Sequence, residues 1–213
     1  MLLYSYWRST TSYRVRAALN LKRLPYKAVP VDLVNGRQRD AEYQRLNQGA
    51  VVPTLVLDDG TVLNQSLAII EYLDAMAPVP RLIPEEPLAR AVVQAAAQII
   101  ALDVHPVNNL RVTERLRMQF DADEGAVQAW MLHWMSEGFA VLEAQVSDQT
   151  TFSFGEAPDL ADLCLVAQVY NARRWGLDLS YYPKLCRIEA ACLMHPAIAA
   201  AHPDQQPEAR AVQ

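Results

Sequence analysis

Four prolines fall within the eleven residues APVPRLIPEEP, from Ala77 to Pro87. Proline fixes φ, lacks an amide proton and clashes with the turn before it, so neither a regular helix nor a central strand runs through this stretch. The chain is therefore expected to divide here, and the hydrophobic period differs on the two sides.

Before the prolines, LLYSYW (Leu2 to Trp7) reads as a short apolar strand. SYRVRAALNLK follows as a helix with Val15, Ala18 and Leu19 on one face, ended before Pro25. YKAVPVDL (Tyr26 to Leu33) is β-rich, with Pro30 marking an irregular or edge strand, and it completes a right-handed β-α-β unit. A short helix fits near Asp40 to Leu46. TLVL and TVL then flank Asp58-Asp59-Gly60 as a hairpin, and SLAIIEYLDAM continues at helical period with Ser66 as its N-cap.

Beyond Pro87 the pattern is helical. One helix is expected from Leu88 to about Phe120, kinked at Pro106. A second runs from Asp123 to Val146 with an apolar stripe of Val127, Trp130, Met131, Trp134 and Leu142. PDLADLCLVAQVYNARRW begins with Asp159 and, three residues on, Asp162, an acidic form of the capping box; KLCRIEAACL forms a further helix. The last dozen residues, after His202-Pro203, read as a loosely held tail. The expected organisation is an α/β domain over 1–80, a linker over 81–87 and an all-α domain over 88–213.

A formal net charge of -5, with Lys and Arg scattered, argues against a nucleic-acid surface or a basic membrane anchor. The N-terminus lacks a leader pattern, and no uninterrupted apolar run reaches the roughly 18 residues of a membrane span. A cytoplasmic protein acting on small molecules or other proteins is expected. Cys164, Cys186 and Cys192 have no paired metal spacing and read as structural residues, with no metal site.

Ser9, Thr10, Thr11 and Ser12 crowd the junction between the first strand and the first helix, where one cap would serve. A helix N-terminus leaves amide donors unpaired and carries partial positive charge, so it favours an anion, and hydroxyl donors add to that preference.

The order of elements, with VVPTL (Val51 to Leu55) and NQSLAIIEYL, resembles the soluble glutathione transferases, whose first domain is thioredoxin-like. YSYWRSTTSYRVRAALNLKRLPY, DVHPVNNLRV, the NARRWG region and HPAIAAAHPDQQPE are similar to the zeta class, which includes maleylacetoacetate isomerases and bacterial maleylpyruvate isomerases. Zeta-class sequences often carry cysteine where this chain has Thr11, so the reactive sulfur is expected from bound glutathione.

The resemblance implies roles residue by residue. Ser9 is the leading donor to the glutathione thiolate, helped by Thr10 and Thr11. Val52, before a cis Pro53, offers backbone groups to the cysteinyl part, and Gln65 and Ser66 bind the γ-glutamyl carboxylate. His105, Asn108 and Asn109 border the site. Arg8, Arg111 and Arg174 meet the carboxylates of a small dicarboxylate substrate, a guanidinium being suited to a bidentate grip. The implied activity is glutathione-dependent cis-trans isomerisation of maleylacetoacetate in aromatic amino-acid (tyrosine) degradation, by a homodimer. Maleylpyruvate isomerisation, or a broader transferase action on α-halo acids, are the alternatives. Arg14 and Arg16 read as structural or solvated charges.

Overall fold

The computed structural model describes residues 1–210. Its four strands, β1 (Leu2–Ser5), β2 (Lys27–Pro30), β3 (Thr54–Val56) and β4 (Val62–Asn64), form one sheet in the order β2-β1-β3-β4. β1 runs parallel to β2, with Leu3 opposite Ala28, and antiparallel to β3, with Leu3 opposite Leu55. β3 and β4 make the hairpin expected around Gly60, whose φ of 87° is the left-handed conformation that the turn requires. β2 is an edge strand, which is why Pro30 is tolerated at its end.

Helix α1 (Thr10–Leu21) packs against α3 (Ser66–Met76), and the short α2 (Ala41–Leu46) lies between β2 and β3 in sequence. Leu3, Val15, Leu19, Leu55, Ile69, Ile70 and Leu73 are fully buried, and each such side chain contributes about 1.5–3 kcal/mol when removed from water. The β-α-β and β-β-α arrangement expected from the sequence is present.

The proline segment is tied to this unit by a buried ion pair. Lys22 Nζ lies 2.5 Å from Asp74 Oδ1 and also donates to the carbonyls of Ala77 and Pro80, while the Leu82 amide donates to Asp74 Oδ1 at 2.7 Å. Residues Met1–Leu82 and those from Leu193 onward form one unit, and Ile83–Cys192 form the other. The sequence placed everything after residue 87 in one helical domain; the structure returns the C-terminal residues to the first unit. Helix α9 (Pro196–Ala201) packs on α1, and Arg16 and Asn20 of α1 donate to the carbonyls of Ala201 and Ala197. The tail after His202 is correspondingly less loose than expected. The His202 ring stacks edge-on against Tyr13, and Ala209 is buried. The last three residues lie outside the described ones.

The second unit comprises α4 (Pro87–Gln98), α5 (Leu110–Phe120), α6 (Glu124–Gln145), α7 (Leu160–Trp175) and most of α8 (Pro183–Met194). The single kinked helix expected from Leu88 to Phe120 is instead broken. α4 widens into a π-helical segment over Ile99–Val104, residues 105–109 form turns, and Asn109 caps a new helix by accepting from the Arg111 amide. Pro106 has no amide to continue the wide turn, and Asn109 supplies a fresh start. In α6 the buried stripe is Val127, Met131, Met135, Gly138, Phe139 and Leu142; Trp130 and Trp134 are only half-buried. Asp159 and Asp162 form the capping box at the start of α7. Pro87–Val104 is long and apolar enough to cross a membrane by length and composition, although Arg90, Gln94, Gln98 and Asp103 interrupt it. Val93, Ala96, Ala97 and Ile100 of that stretch are buried within the protein.

Candidate active site

β1 ends at Ser5, and the chain turns through Tyr6–Arg8 before α1 begins at Thr10. Ser9 is the N-cap: its Oγ accepts from the Ser12 amide at 3.2 Å. The capping role that any serine would take here is thus real, and the neighbouring hydroxyls do more. Thr11 Oγ1 donates to the Val52 carbonyl at 3.0 Å, and Ser9 Oγ lies 2.9 Å from Thr11 Oγ1. Because the Thr11 proton is committed to Val52, the Ser9 hydroxyl is the donor in the Ser9–Thr11 pair. Thr10 is buried, and Arg8, half-buried, lies over the Trp7 ring at 5.2 Å.

Thr11 therefore links the helix start to the loop before β3, where the Val52-Pro53 peptide is cis. The sequence expected both backbone groups of Val52 to face a ligand, but one of them, the carbonyl, already accepts from Thr11. The other side of this loop is held by residues that sequence reasoning missed. Tyr43 Oη donates to the Val51 carbonyl at 2.6 Å, and Asn47 Nδ2 reaches the same carbonyl at 2.9 Å. Thr54 Oγ1, buried between Tyr43 and Asn47, donates to Asn64 Oδ1 at 2.8 Å. Burial pushes the Tyr43 hydroxyl above its ordinary range, so it remains a donor.

At the start of α3, Gln65 is exposed with φ 70° and ψ 117°, an uncommon backbone state for a residue with a side chain. Ser66 was expected to cap this helix; it is instead the first helical residue, and no side chain caps the helix. The first amides of α3 are consequently left for something else. The Ser66 Oγ accepts from Arg14 Nη1 at 3.4 Å. Arg14 and Arg16, read from sequence as structural or solvated, are both 1% exposed. In the first unit, then, Ser9, Thr10, Thr11, Val52, Pro53 and Ser66 are brought together around α1 by hydrogen bonds and sequence adjacency.

Of the other expected residues, His105, Asn108 and Asn109 lie between the π-helical segment and α5 of the second unit, Arg111 in the first turn of α5, and Arg174 at the end of α7. His105, Asn108 and Asn109 do not share a helical face, because residues 105–109 are turns. Asn109 Nδ2 lies 3.3 Å from His105 Nε2, so the two side chains pair across the turn. Asn108 is buried and turns inward, donating to the Met131 carbonyl of α6. Arg111 is exposed. Arg174 is exposed near the end of α7, with Nη1 donating to Asn171 Oδ1 at 3.1 Å. Cys164 and Cys192 are buried, and burial pushes the Cys192 thiol far above the range in which it ionises at neutral pH.

Residues 8–76 match the model of the glutathione S-transferase N-terminal domain. A probable maleylacetoacetate isomerase of Vibrio cholerae is 45% identical over 212 residues, covering 98% of each chain. A maleylpyruvate isomerase of a Ralstonia species is 43% identical, covering 98% of this chain and 99% of its own. Among solved structures, the holo form of a maleylpyruvate isomerase, a bacterial glutathione S-transferase of the zeta class, has a TM-score of 0.95 at 43% identity, covering 98% and 99%. A maleylacetoacetate isomerase of Methylobacterium extorquens AM1, with bound malonate and glutathione, has a TM-score of 0.94 at 36% identity, covering 98% and 99%. With this identity over nearly its whole length, the chain belongs to the zeta-class glutathione transferase family.

Proposed function

We propose that the protein is a glutathione-dependent cis-trans isomerase that converts maleylacetoacetate to its fumaryl isomer, with maleylpyruvate as the closely related substrate. The observation that carries this reading is the hydroxyl cluster of Ser9 and Thr11 at the start of α1, joined to the cis Val52-Pro53 loop with no cysteine present. The donor set fits glutathione. Hydroxyls at a helix N-terminus suit a thiolate, a loop ordered by Tyr43, Asn47 and Thr11 suits a peptide backbone, and the uncapped start of α3 suits a carboxylate.

Bound glutathione supplies a thiolate that adds reversibly to the conjugated alkene of a maleyl substrate, freeing the carbon–carbon bond to rotate. On binding, the Ser9 hydroxyl turns its proton from Thr11 Oγ1 to the sulfur and, with Thr10 beside it, lowers the pKa of that thiol by hydrogen bonding to its charged form, which matters because a free thiol near about 8.5 is mostly protonated at neutral pH. Thr11 keeps the α1 start and the Val52 loop in fixed register. Arg8, Arg111 and Arg174 are assigned to the substrate carboxylates and to the negative charge that develops on the substrate. His105 and Asn109 pair with each other in the turn that follows the π-helical segment of the second unit. Asn108 is assigned to holding that turn, because its amide is spent on Met131. The reading includes a cytoplasmic homodimer, which sedimentation and fractionation can test.

The deciding measurement is turnover of purified protein with maleylacetoacetate and maleylpyruvate, each with and without glutathione. Turnover is expected only with the tripeptide present; equal rates without it remove the mechanism.

A further inference from the structure

Arg14 is a buried cation of the first unit that lacks a full set of partners. The residue is 1% exposed, yet of its guanidinium nitrogens only Nη1 has an acceptor, Ser66 Oγ at 3.4 Å. Nε and Nη2 are buried with no hydrogen-bond partner, and no carboxylate pairs with it among the described residues. Its neighbours are treated differently. Arg16, equally buried, donates to the carbonyls of Ala201, Tyr6 and Trp7, and Lys22 is held by Asp74 with two carbonyls. A guanidinium stays charged at any ordinary pH, and a buried charge without partners is costly, so Arg14 calls for an anion.

The group it touches indicates where that anion sits. Ser66 opens an eleven-residue helix with no side-chain cap, and the preceding Gln65 adopts a left-handed backbone. Since Ser66 Oγ accepts from Arg14, its own proton is left to donate elsewhere. A helix N-terminus, a hydroxyl donor and an unpaired guanidinium thus converge at one place, and together they select a carboxylate.

We propose that Arg14 is a positioning residue for the γ-glutamyl α-carboxylate of glutathione: it orients the Ser66 hydroxyl as a donor and supplies buried positive charge behind it. This rests on the reading that glutathione docks its γ-glutamyl end at Gln65-Ser66. Arg14 makes the protein select ligands that carry a carboxylate at that end, and it leaves the chemistry at the sulfur alone.

The test compares calorimetric binding of glutathione with that of 4-aminobutyryl-cysteinylglycine, which lacks only that carboxyl group. The wild type should prefer glutathione by about ten- to a hundred-fold, the range of a charge-assisted hydrogen bond. Arg14→Gln should abolish most of this preference, raise KM for glutathione and leave kcat at saturation within about three-fold, as loss of uniform binding does. Arg14→Lys, which keeps the charge, should retain the preference. Equal loss of affinity for both ligands in a folded Arg14→Gln protein, or an undiminished preference, overturns the proposal. If the Gln variant does not fold, a folded Arg14→Lys protein that binds the two ligands equally overturns it as well. Failure of the wild type to bind either ligand instead removes the glutathione reading on which the proposal rests.

Discussion

Ser9 occupies two roles at once, cap and donor, and its substitution separates them. Ser9→Ala removes the acceptor for the Ser12 amide, a loss of about 1 kcal/mol in stability. It should also raise the pKa of bound glutathione by about one to two units, the worth of one hydrogen bond to a charged group. Ultraviolet titration of the thiolate reads this directly; an unchanged titration moves the role to Thr10 or Thr11. Thr11 acts differently, because its proton goes to the Val52 carbonyl. Thr11→Val should cost about 1 kcal/mol and weaken glutathione binding several-fold, whereas Thr11→Ser should preserve both. Identical affinities in all three proteins would show that the loop does not depend on this bond. The hydroxyl cluster was visible in the sequence as four adjacent residues, but which proton goes where was not, since Thr11 and Val52 are 41 residues apart.

At the scale of elements, the break between α4 and α5 is the feature that sequence period described least well. A methyl group on Gly138 of α6 would lie 2.2 Å from Val104 Cγ2, so the glycine is what allows α6 to approach the π-helical segment that precedes His105. Gly138→Ala should destabilise the protein by about 1–3 kcal/mol through overpacking, and Val104→Ala added to it should recover part of that loss. Strictly additive effects in urea unfolding would contradict the contact. The start of α7 carries a pH dependence. Burial, and then the Asp162 carboxylate, push the Asp159 carboxyl well above the ordinary range. The folded chain therefore keeps a proton that the unfolded chain has already lost, so the contribution of Asp159 is complete below about pH 4 and declines as pH rises through the raised folded value. Asp159→Asn keeps the capping oxygen without the charge, so its stability relative to wild type should improve steadily as pH rises from about 4 to about 8. A difference that stays constant with pH would mean that Asp159 titrates as an exposed carboxyl does.

For the whole molecule, the return of the C-terminal residues to the first unit has a measurable consequence. Ile198 and Ala201 are fully buried, and α9 accepts hydrogen bonds from Arg16 and Asn20 of α1. Ending the chain after Met194 should therefore cost at least about 3 kcal/mol and expose α1 to amide exchange, while α7 in the other unit keeps its protection. Uniform exchange throughout would show that the tail serves both units alike.

The sequence by itself determined the elements and their local chemistry: the β-α-β and β-β-α order, the Asp58-Asp59-Gly60 hairpin, the Asp159–Asp162 box and the hydroxyl run. These depend on residues a few positions apart, where period, caps and turn residues act directly on the backbone. The tertiary structure decided the rest. It turned the expected kink at Pro106 into a break, brought the C-terminal helix back onto α1, committed Thr11 to Val52 and buried Arg14 against Ser66. Each of these depends on which distant segment meets which, and a hydrophobic period records that a face is buried without recording what covers it.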